Sequence, residues 1–268
     1  MNPDVALRVP GLRVGRDAEP VSRMVAEETP ISLVFNELHP YAVMMATPAD
    51  LEDFARGFAL TERIVSRPQN VRDTRVQSVA DGLELHVQID GQDFSRLLQR
   101  GRRAITGRTG CGICGIDRIE TLDHPRTILP AGQPIAIAAI RRALGNLGDH
   151  QPLNAETRMV HAAAWADPQG DIILTREDVG RHNALDKLIG AGIASSLDFT
   201  DGFCLLTSRY SFEMAEKTAI AGMRIVAAVS APTARALRVA ESAGQTVLAI
   251  ARSDNQTVFC GAERILFQ

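Results

Sequence analysis

The stretch Asp171-Ile-Ile-Leu-Thr-Arg-Glu-Asp-Val-Gly-Arg-His-Asn-Ala-Leu-Asp-Lys-Leu-Ile-Gly190 sets the grammar of the C-terminal half. Asp171 to Thr175 reads as a short apolar strand, a polar turn follows, and a helix runs from about Arg181 to Ile189 and stops at Gly190. The unit then recurs. Phe203 to Thr207 leads through Ser208 and Arg209 into a helix ending before Gly222. Ile225 to Val229 leads through Ser230 and Pro232 into a helix ending before Gly244, and Val247 to Ala251 closes the series. Such units need crossover connections and bury a sheet on both faces, which predicts a layered α/β domain with parallel strand pairs. Ile137, Ile140, Leu144 and Leu147 mark the apolar face of an opening helix, so the domain is expected over 131–268.

The N-terminal half reads differently. Residues 1–28 show no sustained period and are expected to form an irregular arm, and 29–103 a small α+β subdomain. Ile31 to Phe35 and Tyr41 to Met45 flank a polar turn, and Val71 to Val79 and Leu83 to Ile89 flank Asp81-Gly82, giving two hairpins. Between them Leu51, Phe54, Ala55 and Phe58 recur at helical spacing, with Thr47 as the expected N-cap and Pro48 at the first helical position. Residues 104–130 form a linker, and within it Cys111 and Cys114 lie among Gly107, Gly110, Gly112 and Gly115, which predicts a mobile loop.

Composition narrows the function classes. The chain has 268 residues, 45% of them apolar, enough for a sizeable core. A net charge of −3 and few aromatic residues argue against nucleic-acid binding. The sequence shows neither a signal peptide nor a membrane span, so a cytoplasmic protein is expected. Four cysteines, with Cys204 and Cys260 isolated in apolar runs, do not make a disulfide framework, and a cytosolic C-x-x-C points to metal or sulfur chemistry. Arg100, Arg102, Arg103 and Arg108 precede the pair, and a cationic surrounding raises a thiol's thiolate fraction.

Polar residues gather where the strands end, which in open α/β sheets is where ligands bind. His182 and Asn183 open one helix, Arg209 follows the next strand, and Ile250-Ala-Arg-Ser-Asp-Asn255 breaks the last one. Each is read as a candidate ligand contact, since arginine suits bidentate phosphate binding. A structural histidine, a helix cap at Asp178 and solvated surface arginines are the plain alternatives.

Glu177-Asp-Val-Gly-Arg-His-Asn-Ala-Leu-Asp-Lys187 and Thr109-Gly-Cys-Gly-Ile-Cys-Gly115 together resemble the FdhD family of formate dehydrogenase accessory sulfurtransferases. Met44 to Phe54, Val160 to Ala164, Ser208 to Met214 and Val229 to Thr233 extend the resemblance over about Thr29 to Ile265. Arg63 stands where the family has glycine, and Arg158-Met159 replace small residues. The resemblance implies a cytidine-deaminase-like α/β domain, a smaller N-terminal subdomain and a homodimer. It also implies a sulfurtransferase that takes sulfur from a cysteine desulfurase as a cysteine persulfide; Cys111, nearer Arg108 and flanked by glycine on both sides, is the expected carrier, with Cys114 assisting. The sulfur passes to the bis(molybdopterin guanine dinucleotide) molybdenum cofactor of formate dehydrogenase. On this reading the guanine-dinucleotide part docks on Ile250, Ala251, Arg252, Ser253, Asp254, Asn255 and Arg209, with His182 and Asn183 lining the same crevice, and no metal is permanently bound.

Two other readings stay open. One is a zinc module with Cys111, Cys114 and a histidine such as His161 or His182. The zinc-deaminase signature is missing, however, because Gly110 precedes Cys111 and Ala162-Ala163 follow His161. The other is a non-catalytic cofactor chaperone whose cysteines only shape a loop.

Overall fold

The computed structural model describes residues 4–15, 17–99, 105–106 and 128–267. The chain opens with an antiparallel ribbon, β1 (Ala6–Val14) and β2 (Ala18–Ala26), mostly exposed on both faces. This corrects the irregular arm expected over 1–28. A ribbon wetted on both faces needs no alternation of apolar and polar residues, so the usual signal of a half-buried strand is missing from its sequence.

A five-stranded sheet follows, built from both expected hairpins: β3 (Thr29–Phe35) with β4 (His39–Ala46), and, after α1 (Leu51–Thr61), β5 (Val71–Val79) with β6 (Gly82–Ile89). Then come α2 (Gly91–Gln99) and β7 (Ile105–Thr106), and the strand order is β5-β6-β3-β4-β7. Phe54, Ala55 and Phe58 of α1 pack on Ile31, Leu33, Phe35, Met44 and Leu85 to make the core of this half. The helix does not start at Thr47 and Pro48. It begins behind Asp50, whose backbone is left-handed at φ 53, without a side-chain cap. Its other end is a Schellman turn: Ile64 N–H donates to Ala59 O and Arg63 N–H to Leu60 O, both at 2.9 Å, with Arg63 at φ 54. A left-handed position is where glycine is least strained, which accounts for the glycine that the resemblance leads one to expect at 63.

The second half contains β8 (Ile135–Ala136), α3 (Ile137–Asn146), α4 (Pro152–Thr157), β9 (His161–Ala166), β10 (Ile172–Asp178) and α5 (Arg181–Ala194). It continues with β11 (Phe203–Leu206), α6 (Phe212–Ile220), β12 (Ile225–Ala228), α7 (Ala234–Ala243), β13 (Thr246–Ala249), β14 (Thr257–Cys260) and β15 (Ile265–Leu266). Six strands form one sheet in the order β10-β9-β11-β12-β13-β14. One apolar core, with α5, α6 and α7, covers one face, and a second, with α3, covers the other. The layered α/β architecture is as expected, and β11, β12 and β13 are the parallel set. The unit that starts at Asp171 is not part of it: β10 is an edge strand antiparallel to β9, which in turn is antiparallel to β11. β9 escapes sequence reading because His161-Ala-Ala-Ala-Trp-Ala166 is alanine-rich, a composition depleted in strands. Arg158, at φ 57, ends α4 with the same left-handed geometry as Arg63.

Gly190 does not stop α5, which runs on to Ala194. It marks a helix crossing. A Cβ on Gly190 would collide with the Asp53 carbonyl of α1, and a Cβ on Gly57 of α1 would collide with the Asp186 carbonyl of α5. The two halves therefore touch backbone to backbone, and glycine is the residue that permits it.

Candidate functional site: the strand-end crevice and the network beneath it

Polar side chains from both halves meet under the α1–α5 crossing. Asp178, at the end of β10, is fully buried. Its Oδ1 accepts from Gly180 N (2.7 Å) and Asn183 Nδ2 (3.0 Å), and its Oδ2 accepts from Thr47 N (3.0 Å) and pairs with Lys187 Nζ at 2.7 Å. Lys187 Nζ also donates to Thr47 O, Val179 N to Thr47 Oγ1, and Asn183 Nδ2 to Met45 O. Thr47 is thus a cross-link between the halves rather than a helix cap. A second cluster lies one turn along α5. Lys217 Nζ of α6 donates to both Asp186 oxygens (2.8 and 3.0 Å), to Thr61 Oγ1 (2.8 Å) and to Glu62 Oε1 (3.2 Å). Burial pushes the Asp186 carboxyl up to about 6 even with Lys217 and Thr61 on it. Glu177 accepts from Leu153 N and Asn154 N at the start of α4. The most distinctive motif of the sequence is therefore largely structural: Glu177, Asp178, Asn183, Asp186 and Lys187 are engaged in holding elements together. Asn183, expected to line a crevice, is fully buried with its amide donating inward.

The candidate ligand face is the end of the sheet where the parallel strands β11, β12 and β13 finish. Val229 N donates to Leu206 O, Ile250 N to Ser230 O, and Ala251 N to Ala228 O, so adjacent loops are laced into one rim. The turn after β13 differs from expectation in one respect. The backbone N–H groups of Ile250, Ala251 and Arg252 are already used, the last by Asn255 O at 2.7 Å, so they are not available to a ligand. What the turn presents is side chains: Arg252, Ser253, Asp254 and Asn255 are exposed, and Ile250 stands out at φ 52. Arg252 Nη1 donates to Val229 O and Ala251 O, which orients the guanidinium along the rim. Arg209 is exposed after β11, two strands away from that turn, beside the buried Ser208.

His161, at the start of antiparallel β9, shares this end of the sheet; sequence reading placed it only among possible zinc ligands. Burial is the first cause that lowers its pKa, followed by the charges of Arg181 and Arg209. His182 lies deeper, 1% exposed, and neither ring nitrogen has a hydrogen-bond partner among the described residues. Its Nε2 is 3.9 Å from Glu213 Oε2 in the first turn of α6. Burial lowers the His182 pKa, Arg181 and Lys217 add to this, and Glu213 opposes it. Glu213 itself is held down to about 2: burial resists ionisation, but His182, its own backbone N–H and Ser211 outweigh it. A histidine whose folded pKa is depressed takes up fewer protons folded than unfolded, so its contribution to stability is complete above about pH 6.5 and is lost as pH falls below that value. The stability difference between wild type and His182→Gln should therefore shift against the wild type between pH 7.5 and 5.5 in urea titrations. A pH-independent difference would contradict the assignment. Using the difference removes the opposing contribution of Asp186, which is common to both proteins.

Cys111 and Cys114 lie outside the described residues. Cys204 is fully buried and burial raises its pKa far above the ordinary thiol range, while in half-buried Cys260 burial pushes the thiol up to about 11. Neither is set up as a nucleophile. Among the described residues no group of three or more histidine, cysteine, aspartate or glutamate side chains is placed to hold a metal, and no helix is long and apolar enough to cross a membrane.

A mixed α/β chain with arginines after its parallel strands, and with Cys111 and Cys114 between its halves in sequence, is similar to solved and curated proteins. The fold matches a crystal structure from Desulfotalea psychrophila, provisionally assigned as a formate dehydrogenase accessory protein, with a TM-score of 0.78 and 23% identity over 98% of this chain and 100% of that one. Residues 26–266 match the FdhD/NarQ family model, and the chain belongs to that family. A relative from Xanthomonas euvesicatoria, named sulfur carrier protein FdhD, is 47% identical over 253 residues, covering 94% of this chain and 89% of the relative. One of the same name from Bordetella petrii is 45% identical over 260 residues, covering 97% and 92%.

Proposed function

We propose that the protein is a cytoplasmic sulfur carrier serving a formate dehydrogenase. The observation that carries this reading is the Cys111-Gly-Ile-Cys114 pair in a chain that matches sulfur carrier proteins over more than nine-tenths of its length. The Cys111 thiolate attacks the outer sulfur of a persulfide on a cysteine desulfurase. The donor's S–S bond breaks, its cysteine leaves as thiolate, and Cys111 becomes the persulfide, with no net oxidation or reduction. Cys111 is preferred over Cys114 because it is nearer Arg108 and has glycine on both sides. The sulfur is then passed to the molybdenum of the bis(molybdopterin guanine dinucleotide) cofactor, the substrate of the carrier: the S–S bond at Cys111 breaks, Cys111 leaves as thiolate, and the outer sulfur takes up two electrons from the reduced metal centre to become its sulfido ligand, the protein acting as a homodimer.

The crevice supports the docking half of this reading. The exposed guanidinium groups of Arg209 and Arg252 follow β11 and β13, on either side of β12 at the same end of the sheet, and arginine forks suit the pyrophosphates of such a cofactor. Guanosine diphosphate is expected to bind the wild type. Arg252→Ala should weaken that binding by about 1.5–3 kcal/mol, the value of a charge-assisted hydrogen bond, as read by calorimetry. Equal affinity in the variant removes Arg252 from the site, and no binding of any guanine nucleotide removes the docking proposal.

A further inference from the structure

Resting on that docking reading, the geometry points to Glu213, with His182 behind it, as the specificity-determining group of the crevice, recognising the 2-amino-4-oxopyrimidine edge shared by guanine and pterin. A carboxylate is out of place in a site for phosphates, which it repels. Yet Glu213 opens the helix that follows the β11 strand end, its side chain 17% exposed and so reaching the surface. The ring of His182 faces it at 3.9 Å, held towards its neutral form by burial. That ring is buried with both nitrogens unpartnered among the described residues, a costly state in a folded protein unless a ligand completes the arrangement. Catalytic and binding hydrogen bonds are often long before the ligand arrives and tighten with it. One residue before Glu213, the Phe212 ring carries the Arg235 guanidinium at 4.7 Å from its centroid, a flat cationic surface suited to a stacked heterocycle.

The chemistry of the edge then follows from donor and acceptor counts. Guanine and pterin present a ring N–H and an adjacent amino group, two parallel donors that match the two oxygens of a carboxylate. Adenine presents a ring acceptor at the corresponding position and would face a lone-pair repulsion. His182 acts as a positioning residue, donating from Nε2 to the Glu213 oxygen that it approaches.

The test is nucleotide discrimination by calorimetry, with guanosine, inosine and xanthosine diphosphates on wild type, Glu213→Gln and His182→Gln. The wild type should bind the guanosine compound about tenfold to a hundredfold more tightly than inosine diphosphate, which lacks the amino group. Glu213→Gln should lose that preference and gain affinity for xanthosine diphosphate, because an amide offers one acceptor and one donor to xanthine's N–H and 2-oxo group. A merely structural Glu213 would not produce that reversal. His182→Gln should narrow the preference while keeping its direction. Should Glu213→Gln fail to fold, the wild-type discrimination stands as the test, and equal binding of guanosine and inosine diphosphates overturns the assignment. The same comparison with 6-hydroxymethylpterin and its 2-oxo counterpart separates the two sources: discrimination there assigns the pterin edge, and discrimination confined to nucleotides assigns guanine. A preference unchanged in Glu213→Gln overturns this assignment alone. A wild type that binds none of these compounds overturns the docking reading as well.

Discussion

Gly190→Ala is expected to destabilise the protein by about 3 kcal/mol or more, although alanine in a helix interior normally gains about 1 kcal/mol over glycine. The sign reverses because of what the added methyl meets. The Asp53 carbonyl of α1 occupies the place of a Cβ on Gly190, and the contact is with backbone, which cannot turn aside as a flexible side chain can. Either α1 and α5 move apart, opening the packing of both cores, or the helix distorts. Gly57→Ala should behave likewise through the Asp186 carbonyl, whereas Gly91→Ala, with nothing within 4 Å of its Cβ, should be close to neutral. Urea midpoints of the three variants check this directly. An unchanged midpoint in Gly190→Ala would show that the two helices do not cross as closely as described.

Lys187→Met should cost about 3–5 kcal/mol, the usual loss when one partner of a buried ion pair is removed. Methionine fills much of the space of the lysine stem, so the loss is electrostatic rather than a cavity effect. Asp178 would keep its three N–H donors, from Thr47, Gly180 and Asn183, but lose the counter-charge that Lys187 supplies at 2.7 Å, and Thr47 O would lose a donor. Because Thr47 belongs to one half and Lys187 to the other, the effect should appear as loss of protection in the segment between β4 and α1 in hydrogen exchange. Adding Asp178→Asn should recover part of the stability, since the uncompensated charge is then gone. A loss below about 1 kcal/mol in the single variant would mean that the pair is solvated.

The strand and helix content of 203–249 is legible in the sequence because each element is short, apolar and punctuated by glycine or a polar turn. The order of the sheet is not. Nothing local distinguishes β10, an antiparallel edge strand, from the parallel strands after it, and β9 hides in an alanine run. Gly190 misleads because glycine serves both as a helix stop and as a point of close approach, and only the partner helix tells which. Thr47 misleads in the same way: a hydroxyl before a proline suits a cap, but it accepts instead from Val179 N, 132 residues away. In the site, strand-end arginines are legible from the fold class. Glu213 and His161 are not, since a glutamate in a helix's first turn is what the helix dipole favours anyway. The long polar motif was legible as unusual. That most of it lies in a buried network, with both ring nitrogens of His182 unpartnered among the described residues, follows from contacts with the other half of the chain that no local pattern records.

Sulfur transfer is proposed to run through Cys111. It is tested most directly by incubating the full-length protein with a cysteine desulfurase and cysteine, digesting with trypsin, and fragmenting the peptide Thr109 to Arg118, which contains both Cys111 and Cys114. The expected result is the mass of one added sulfur on Cys111, absent without the desulfurase, with Cys111→Ala losing activation of formate dehydrogenase and serine at Cys204 or Cys260 leaving it intact. Added sulfur on neither cysteine, or on Cys114 alone with Cys111→Ala still active, would contradict it.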